Sequence, residues 1–309
     1  MKYAIFSDIH GNFPALEAAL TDAKKYGVDK YLFIGDYCSG YPYVNEVADA
    51  LRALPNATII AGNHEGYIRN LHQQDPATWT DKQSGIVYWC YRQLTAENRE
   101  FLMNLPEMAV VSDAVGDIHL AHGRSIFFRY PNKIDYLHSS FFRRKMGETP
   151  FTHAQYLELA REAVLVRPDA VDEMRALPAG VHLFGHNHLQ FHMHFEDKLF
   201  INPGSCGEAL DGDTTAAYSW LEHADGAWKV TERRVAYNVE AVVTRLQTSG
   251  YADFAPAWSN LYAWVLRNGF DCIGPFLAHV NAVSAKNGEN GYPASNKTWD
   301  ESVATFELD

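Results

Sequence analysis

The chain opens with the sequence MKYAIFSDIHGN, residues 1–12, in which a short apolar run leads directly into polar residues. The run Tyr3–Ser7 has the length and the composition of a buried strand. The next segment, Pro14–Tyr26, has apolar residues at helical spacing and is followed by Gly27, a residue type that commonly follows the end of a helix. A strand that ends in polar residues and continues into a helix is the repeating unit of an α/β sheet.

The same unit recurs further along the chain. Strands are predicted at Tyr31–Ile34 and Thr58–Ala61, with a helix at Val44–Leu54 between them. Two more apolar runs, Ile118–Ala121 and Val181–Phe184, also end in polar residues. Because parallel strands present their carboxyl ends at one edge of a sheet, we expect these polar residues to meet there.

Five clusters of polar residues and glycines follow these runs: Asp8-x-His10, Gly35-Asp36, Gly62-Asn63-His64-Glu65, His122-Gly123 and Gly185-His186-Asn187-His188. Residues two positions apart in a strand face the same side, which places Asp8 beside His10. The same spacing places His186 beside His188. Taken singly, each cluster is also explained by a turn or by a histidine with satisfied hydrogen bonds. Their joint occurrence, with carboxylate, imidazole and amide ligands only, favours a metal centre.

Composition limits the classes of partner. The chain has 309 residues, of which 47% are hydrophobic and 21% charged, as in soluble globular proteins. No apolar run is long enough to span a bilayer, and no signal peptide is predicted, so we expect no membrane partner. The four cysteines are widely spaced, which favours reduced thiols and a cytoplasmic location. A net charge of −12 disfavours binding of long nucleic acid and remains compatible with a small phosphorylated substrate.

In their order along the chain, the five clusters resemble the calcineurin-like metallophosphoesterases, whose pattern is D-x-H, G-D, G-N-H-[DE], H and G-H-x-H. The opening SDIHGN and the later Asn202-Pro203-Gly204-Ser205 are similar to the compact bacterial branch of that family. The resemblance covers about residues 1–247. It implies an α/β (α+β) fold in which two packed mixed β-sheets are flanked by helices, as a four-layer sandwich.

The resemblance also implies a centre of two divalent or trivalent transition-metal ions. Its implied ligands are Asp8, His10, Asp36, Asn63, His122, His186 and His188. Asp36 would bridge the two ions, and the mixed nitrogen and oxygen set suits Mn, Fe, Zn or Co. Two such ions would clamp the phosphoryl oxygens and activate a water for attack on phosphorus. His64 would be the catalytic proton donor, on the argument that adjacent residues of an extended segment point in opposite directions.

Residues 1–248 are predicted to form the metallophosphoesterase domain, with a cap-like insertion at about 124–176. Residues 249–309 are predicted to form a helical C-terminal extension, and Arg124 and Tyr37 are candidate substrate contacts. The predicted function is hydrolysis of small phosphomonoesters or phosphodiesters, nucleotides included. The alternatives are a dinucleoside polyphosphate hydrolase, a protein serine/threonine phosphatase, and a metal-dependent scaffold that would have no need of His64.

Overall fold

The computed structural model describes residues 1–123, 153–224 and 226–308. These residues form ten strands: β1 (Lys2–Phe6), β2 (Lys30–Phe33), β3 (Ala57–Ile59), β4 (Met108–Asp113), β5 (Gly116–Ala121), β6 (Gly180–Leu183), β7 (Gln190–Phe195), β8 (Lys198–Pro203), β9 (Ala216–Ala224) and β10 (Ala227–Val235).

The same residues form twelve α-helices: α1 (Phe13–Lys25), α2 (Val44–Ala53), α3 (Asn63–His72), α4 (Gly85–Gln93), α5 (Ala96–Met103), α6 (His153–Leu165), α7 (Pro168–Ala176), α8 (Val239–Thr248), α9 (Tyr251–Phe254), α10 (Pro256–Asn268), α11 (Ile273–Lys286) and α12 (Asn296–Thr305). None of these described helices has the length and the hydropathy that a membrane span requires.

The strands form two five-stranded mixed sheets, with the orders β10-β9-β1-β2-β3 and β4-β5-β6-β8-β7. In the first sheet β1, β2 and β3 are parallel, and β9 is antiparallel to both β1 and β10. In the second sheet β5, β6 and β8 are parallel, while β4 and β7 are antiparallel to their neighbours. The carboxyl ends of parallel strands from both sheets therefore lie at one edge of the fold, where the polar clusters were expected.

The two sheets pack against each other through branched aliphatic side chains, with Ile5 and Leu32 on one side and Leu183 and Ile201 on the other. Helices α1 and α2 cover the outer face of the first sheet. Helices α6 and α7 cover the outer face of the second through residues such as Met174. Both faces of the central strands are thus buried, which explains their uninterrupted apolar runs. The predicted fold class is confirmed.

The C-terminal helices pack against the helices of the first sheet and belong to the same hydrophobic cluster. The ring of Tyr262 in α10 lies 5.3 Å from that of Tyr41, and the ring of Tyr251 lies 4.8 Å from that of Trp89 in α4. Their rings meet edge to face, an arrangement that adds to the stability gained from burying the aromatic surface. Of the predicted cap-like insertion, residues 124–152 lie outside the described residues, and the remainder forms α6 and α7.

Candidate metal centre

Six of the seven predicted ligands lie in loops rather than in strands, and the seventh, Asn63, begins helix α3. Asp8, His10, Asp36, His186 and His188 all have a positive φ, between 51° and 73°. Because β1 ends at Phe6 and β6 at Leu183, the two-residue spacing of these pairs does not reflect strand alternation, and that part of the sequence interpretation is wrong.

The left-handed backbone of these loops is stabilised by contacts between them. A non-glycine residue in this region costs about 1–3 kcal/mol, so its surroundings must hold it in place. The amide of Asp8 donates to Gly35 O at 3.0 Å, and the amides of Ile9 and His10 both donate to Asp36 O at 2.8 and 3.0 Å. The loop after β1 is therefore fixed directly on the loop after β2.

The side chains of all seven predicted ligands converge on one point. Three groups of potential ligand atoms each lie within 4.8 Å of one another: Asp8, His10 and His188; His10, Asp36 and His64; and Asp36, His122 and His186. Asn63 Oδ1 joins them, at 2.7 Å from His186 Nδ1 and 3.1 Å from His122 Nε2. Asp36 and His10 each occur in two of the three groups, and of the two only Asp36 has two ligand oxygens that could contact different ions.

Three histidines are oriented by backbone carbonyls. The Nδ1 atom of His10 lies 3.2 Å from Ser39 O, and that of His188 lies 2.8 Å from Glu208 O. The Nδ1 atom of His122 lies 2.6 Å from the carbonyl oxygen of Ile34, directly after β2. A carbonyl only accepts, so Nδ1 carries the proton and Nε2 keeps its lone pair for the interior.

This orientation fits metal ions. The Nε2 atoms of His10 and His188 face each other at 3.2 Å, and two lone pairs at that distance repel unless a cation lies beside them. His188 Nε2 is also 3.3 Å from Asp8 Oδ1, and His122 Nε2 is 3.1 Å from Asp36 Oδ2. The donor set of two carboxylates, four imidazoles and one amide matches borderline transition metals.

The electrostatics of the centre also favour cations. Burial favours a neutral Asp36, but His122 and the other imidazoles outweigh it and hold the pKa of Asp36 well below its usual range. Burial lowers the pKa of His10, yet the carboxylates of Glu208, Asp8 and Asp36 together raise it to about 10. The centre therefore attracts positive charge, which protons supply in the absence of metal and which bound ions would replace.

His64 occupies a different local structure from the one expected. Asn63 and His64 are the first residues of α3, so their side chains are separated by about 100° around a helix rather than by strand alternation. The His64 ring packs edge-on against His10 at 4.6 Å, and its Nε2 lies 3.9 Å from Asp36 Oδ2. Burial lowers the pKa of His64 to about 3. Its neutral ring lies beside the ligands and lines the adjoining cavity.

The sequence model for calcineurin-like phosphoesterases matches residues 1–190, well over half of the 309 residues. The chain belongs to the calcineurin-like phosphoesterase family. The resemblance to this family is thereby confirmed, and the clustered Asp and His side chains are groups that could bind the divalent metals used by the family.

Relatives of this chain include an uncharacterized protein of Methanocaldococcus jannaschii, 25% identical over 260 residues that span 79% of this chain and 90% of that protein. Two solved structures share its fold. A metallophosphoesterase from Sphaerobacter thermophilus aligns with a TM-score of 0.61 at 23% identity, covering 87% of this chain and 99% of that chain. A hypothetical protein from Pyrococcus horikoshii OT3 aligns with a TM-score of 0.60 at 19% identity, covering 88% and 99%.

Close backbone contacts between the loops explain two glycines of the motifs. A Cβ atom at Gly62 would lie 2.1 Å from Asp36 Oδ1, and one at Gly185 would lie 2.0 Å from Ser7 Oγ. Any side chain at these positions would push Asp36 or the loop after β1 away from the centre. The motif glycines thus let the loops approach one another.

Glu65 has a role that the sequence analysis did not assign. Its carboxylate is fully buried and accepts hydrogen bonds from the amides of Asp36 at 3.0 Å, Tyr37 at 2.9 Å and Gly62 at 2.8 Å. One side chain in α3 therefore fixes the loop that carries Asp36. The acidic fourth position of the GNHE motif was the available signal, but the loop that it binds is distant in the sequence.

We expect Glu65→Gln to lower the free energy of unfolding by about 1–3 kcal/mol, because the amide group would place N–H against a backbone N–H. Metal affinity should fall by about 10–100-fold, since Asp36 loses its support. Thermal or urea unfolding and metal titration measure the two effects. Glu100→Gln, at an exposed position in α5, is the control. Unchanged metal affinity in Glu65→Gln would contradict this supporting role.

Tyr37 and Arg124 are the two predicted substrate contacts, and the structure describes only Tyr37. Tyr37 is 1% exposed; its hydroxyl donates to Ile60 O at 2.7 Å and accepts from Gly35 N at 2.8 Å. The prediction that Tyr37 contacts substrate is therefore wrong, because the residue after Asp36 turns into the core. Arg124 lies outside the described residues.

The segment Asn202–Ser205 connects the loops behind the centre. Asn202 Nδ2 donates to Gly185 O at 3.2 Å and to Asn187 Oδ1 at 2.7 Å. Ser205 Oγ donates to Asp8 O at 2.7 Å. Asn187 therefore points away from the metal-facing atoms, and the loops after β1, β6 and β8 form one hydrogen-bonded unit.

Proposed function

We propose that this protein hydrolyses small phosphomonoesters or phosphodiesters in a reaction that depends on two metal ions. The observation that carries the proposal is the inward convergence of buried carboxylates and of imidazole Nε2 atoms beside a cavity of about 750 Å³. One ion would be held by Asp8, His10, Asp36 and His188. The other would be held by Asp36, Asn63, His122 and His186.

When bound, such ions neutralise charge on phosphoryl oxygens and lower the pKa of a coordinated water. The protein's own contribution is to fix their positions. Asp36 Oδ1 accepts the amide of His64 at 2.8 Å, which sets the orientation of the shared carboxylate. The carbonyl-bound Nδ1 atoms of three histidines hold the imidazoles in the tautomer that exposes Nε2.

His64 would act on the departing group. It lines the cavity beside the ligands, and its backbone is anchored to Asp36. We propose that the N–H group of its neutral ring, at Nε2, donates a hydrogen bond to the leaving oxygen as the P–O bond breaks. A scaffold would have no need of this side chain.

The cavity also bears on the alternative substrates. A dinucleoside polyphosphate carries several phosphates, which are usually bound by Lys or Arg. Among the described residues that line the cavity none is Lys or Arg. Arg124, a predicted substrate contact, lies outside the described residues, so a dinucleoside polyphosphate stays an alternative substrate.

Metal removal tests the function. We expect chelation to lower kcat/KM for bis-p-nitrophenyl phosphate and p-nitrophenyl phosphate by about 10³-fold or more, and Mn²⁺, Fe²⁺, Zn²⁺ or Co²⁺ to restore it. Metal content is measured in the same samples. Full activity in protein shown to be metal-free would contradict the proposal. An absence of hydrolysis across mono- and diester substrates with two ions bound would support the scaffold instead.

A further inference from the structure

The cavity beside the metal centre extends well beyond the space that a phosphate needs. Its inner end is formed by the histidines of the centre, and its outer walls come from α3, α4 and the C-terminal helices. A volume of about 750 Å³ lies within the range of small-molecule sites. A phosphoester held at the centre would therefore place its alcohol group in this cavity.

In the described part of the chain, three carboxylates line the cavity. Asp81, Glu208 and Asp271 line it, and the described lining residues include no Lys or Arg. Two of these carboxylates have donors from their own loops. Asp81 accepts from Ser84 N and from the hydroxyl of Tyr88, and Asp271 accepts from two backbone amides.

Glu208 differs from the other two carboxylates. It is 6% exposed, and its Oε2 atom is buried without a hydrogen-bond partner among the described residues. This atom lies 3.9 Å from His10 Nδ1, and the proton on that nitrogen is directed to Ser39 O. A buried carboxylate oxygen without a donor is costly unless a cation or a donor reaches it.

Aromatic side chains complete the walls. Tyr67 and Tyr292, at the cavity, are 44% and 79% exposed, and the Tyr67 ring lies 5.1 Å from that of His64. Trp258 and Tyr262, which are 6% and 5% exposed, also line the cavity. Aromatic rings combined with a carboxylate bind ammonium and quaternary ammonium groups.

We propose that this cavity binds the positively charged end of an amino-alcohol phosphoester, with Glu208 as its charge partner and the tyrosine and tryptophan rings as its walls. The ester would then be held at both ends, with phosphate at the metal centre and ammonium in the cavity. The inference about the substrate rests on the proposed hydrolase function, whereas binding of the cation alone does not.

Binding is tested first, with the full-length metal-loaded protein and isothermal titration calorimetry. Choline and ethanolamine are compared with 3,3-dimethylbutan-1-ol, the uncharged analogue of choline. We expect either cation to bind about tenfold more tightly than the neutral alcohol, or better. If choline binds more tightly than ethanolamine, the site prefers a quaternary ammonium group; if ethanolamine binds more tightly, it prefers a primary one. Equal or undetectable binding of all three overturns the proposal.

Hydrolysis is tested with phosphocholine and 3,3-dimethylbutyl phosphate, and with the p-nitrophenyl diesters of both. We expect kcat/KM to favour the cationic ester by about tenfold or more. Selective binding of choline without turnover of any ester would contradict the hydrolase function and leave the cation site standing. Equal turnover of both esters without selective binding of choline would support the hydrolase function and contradict the cation site.

Variants then assign the residues. Glu208→Gln should lower the preference for the cation by about tenfold, and Glu17→Gln, at an exposed position in α1, should keep it. Tyr67→Leu should weaken the preference, while Tyr67→Phe retains the ring and the preference. If Glu208→Gln lowers metal content and leaves the preference unchanged, Glu208 only positions His10 and the proposal is wrong.

Discussion

Replacing Asp36 with Asn is expected to weaken binding at both metal positions and to lower kcat/KM by about 10³-fold or more. The side chain is 1% exposed and takes part in two of the three potential ligand groups. Its Oδ2 lies 3.1 Å from His122 Nε2 and 4.0 Å from His10 Nε2, so it faces both halves of the centre. An amide keeps the shape of the carboxylate but loses the charge that both ions would share.

Metal titration of the Asp36→Asn variant, with the bound ions counted per chain, measures this effect. Asp253→Asn is the control, because Asp253 is exposed in the short helix α9. A variant that binds two ions with unchanged affinity would contradict the shared position of Asp36. Circular dichroism shows whether the fold is retained, which separates loss of a ligand from loss of structure.

The second large effect is expected for His64→Asn. Turnover of a phosphoester with an alkyl leaving group should fall by about 10²–10⁴-fold, because the departing oxygen loses its donor. Metal content should be unchanged, since the backbone amide of His64 still donates to Asp36. A p-nitrophenyl ester should be affected much less, because nitrophenolate leaves without a proton.

The ratio of kcat for the two esters is therefore the decisive measurement for His64. His72→Asn, at the other end of α3, changes the same residue type away from the ligand cluster. Loss of metal from His64→Asn would show that His64 is a ligand in the group it forms with His10 and Asp36. An equal loss of turnover for both esters would contradict the role of leaving-group donor.

Much of the fold and of the candidate site was predictable from local sequence. Apolar runs followed by polar residues marked the central strands, and helical spacing placed α1 at Pro14–Tyr26, against the observed Phe13–Lys25. Burial on both faces of a sheet and the periodicity of a helix are local properties of the chain, so they can be read without knowing the partners. The same clusters supplied the residue types that converge at the centre.

Features that depend on contacts between distant segments could not be predicted in this way. The left-handed turns at Asp8 and His186 exist because neighbouring loops hold them, and Glu65 supports a loop from another part of the chain. Tyr37 had the sequence context of a substrate contact, yet the packing places it in the core.

The sequence by itself determined which ligands the centre offers, because the motifs specify the residue types and their spacing directly. Only the tertiary structure decided what surrounds them. Glu208 reaches His10 through the loop after β8, and Trp258 and Tyr262 reach the cavity through α10, which packs against the helices of the first sheet. The positions of these side chains follow from how the layers pack. Side chains far apart in the sequence meet only when the apolar surfaces between them are buried.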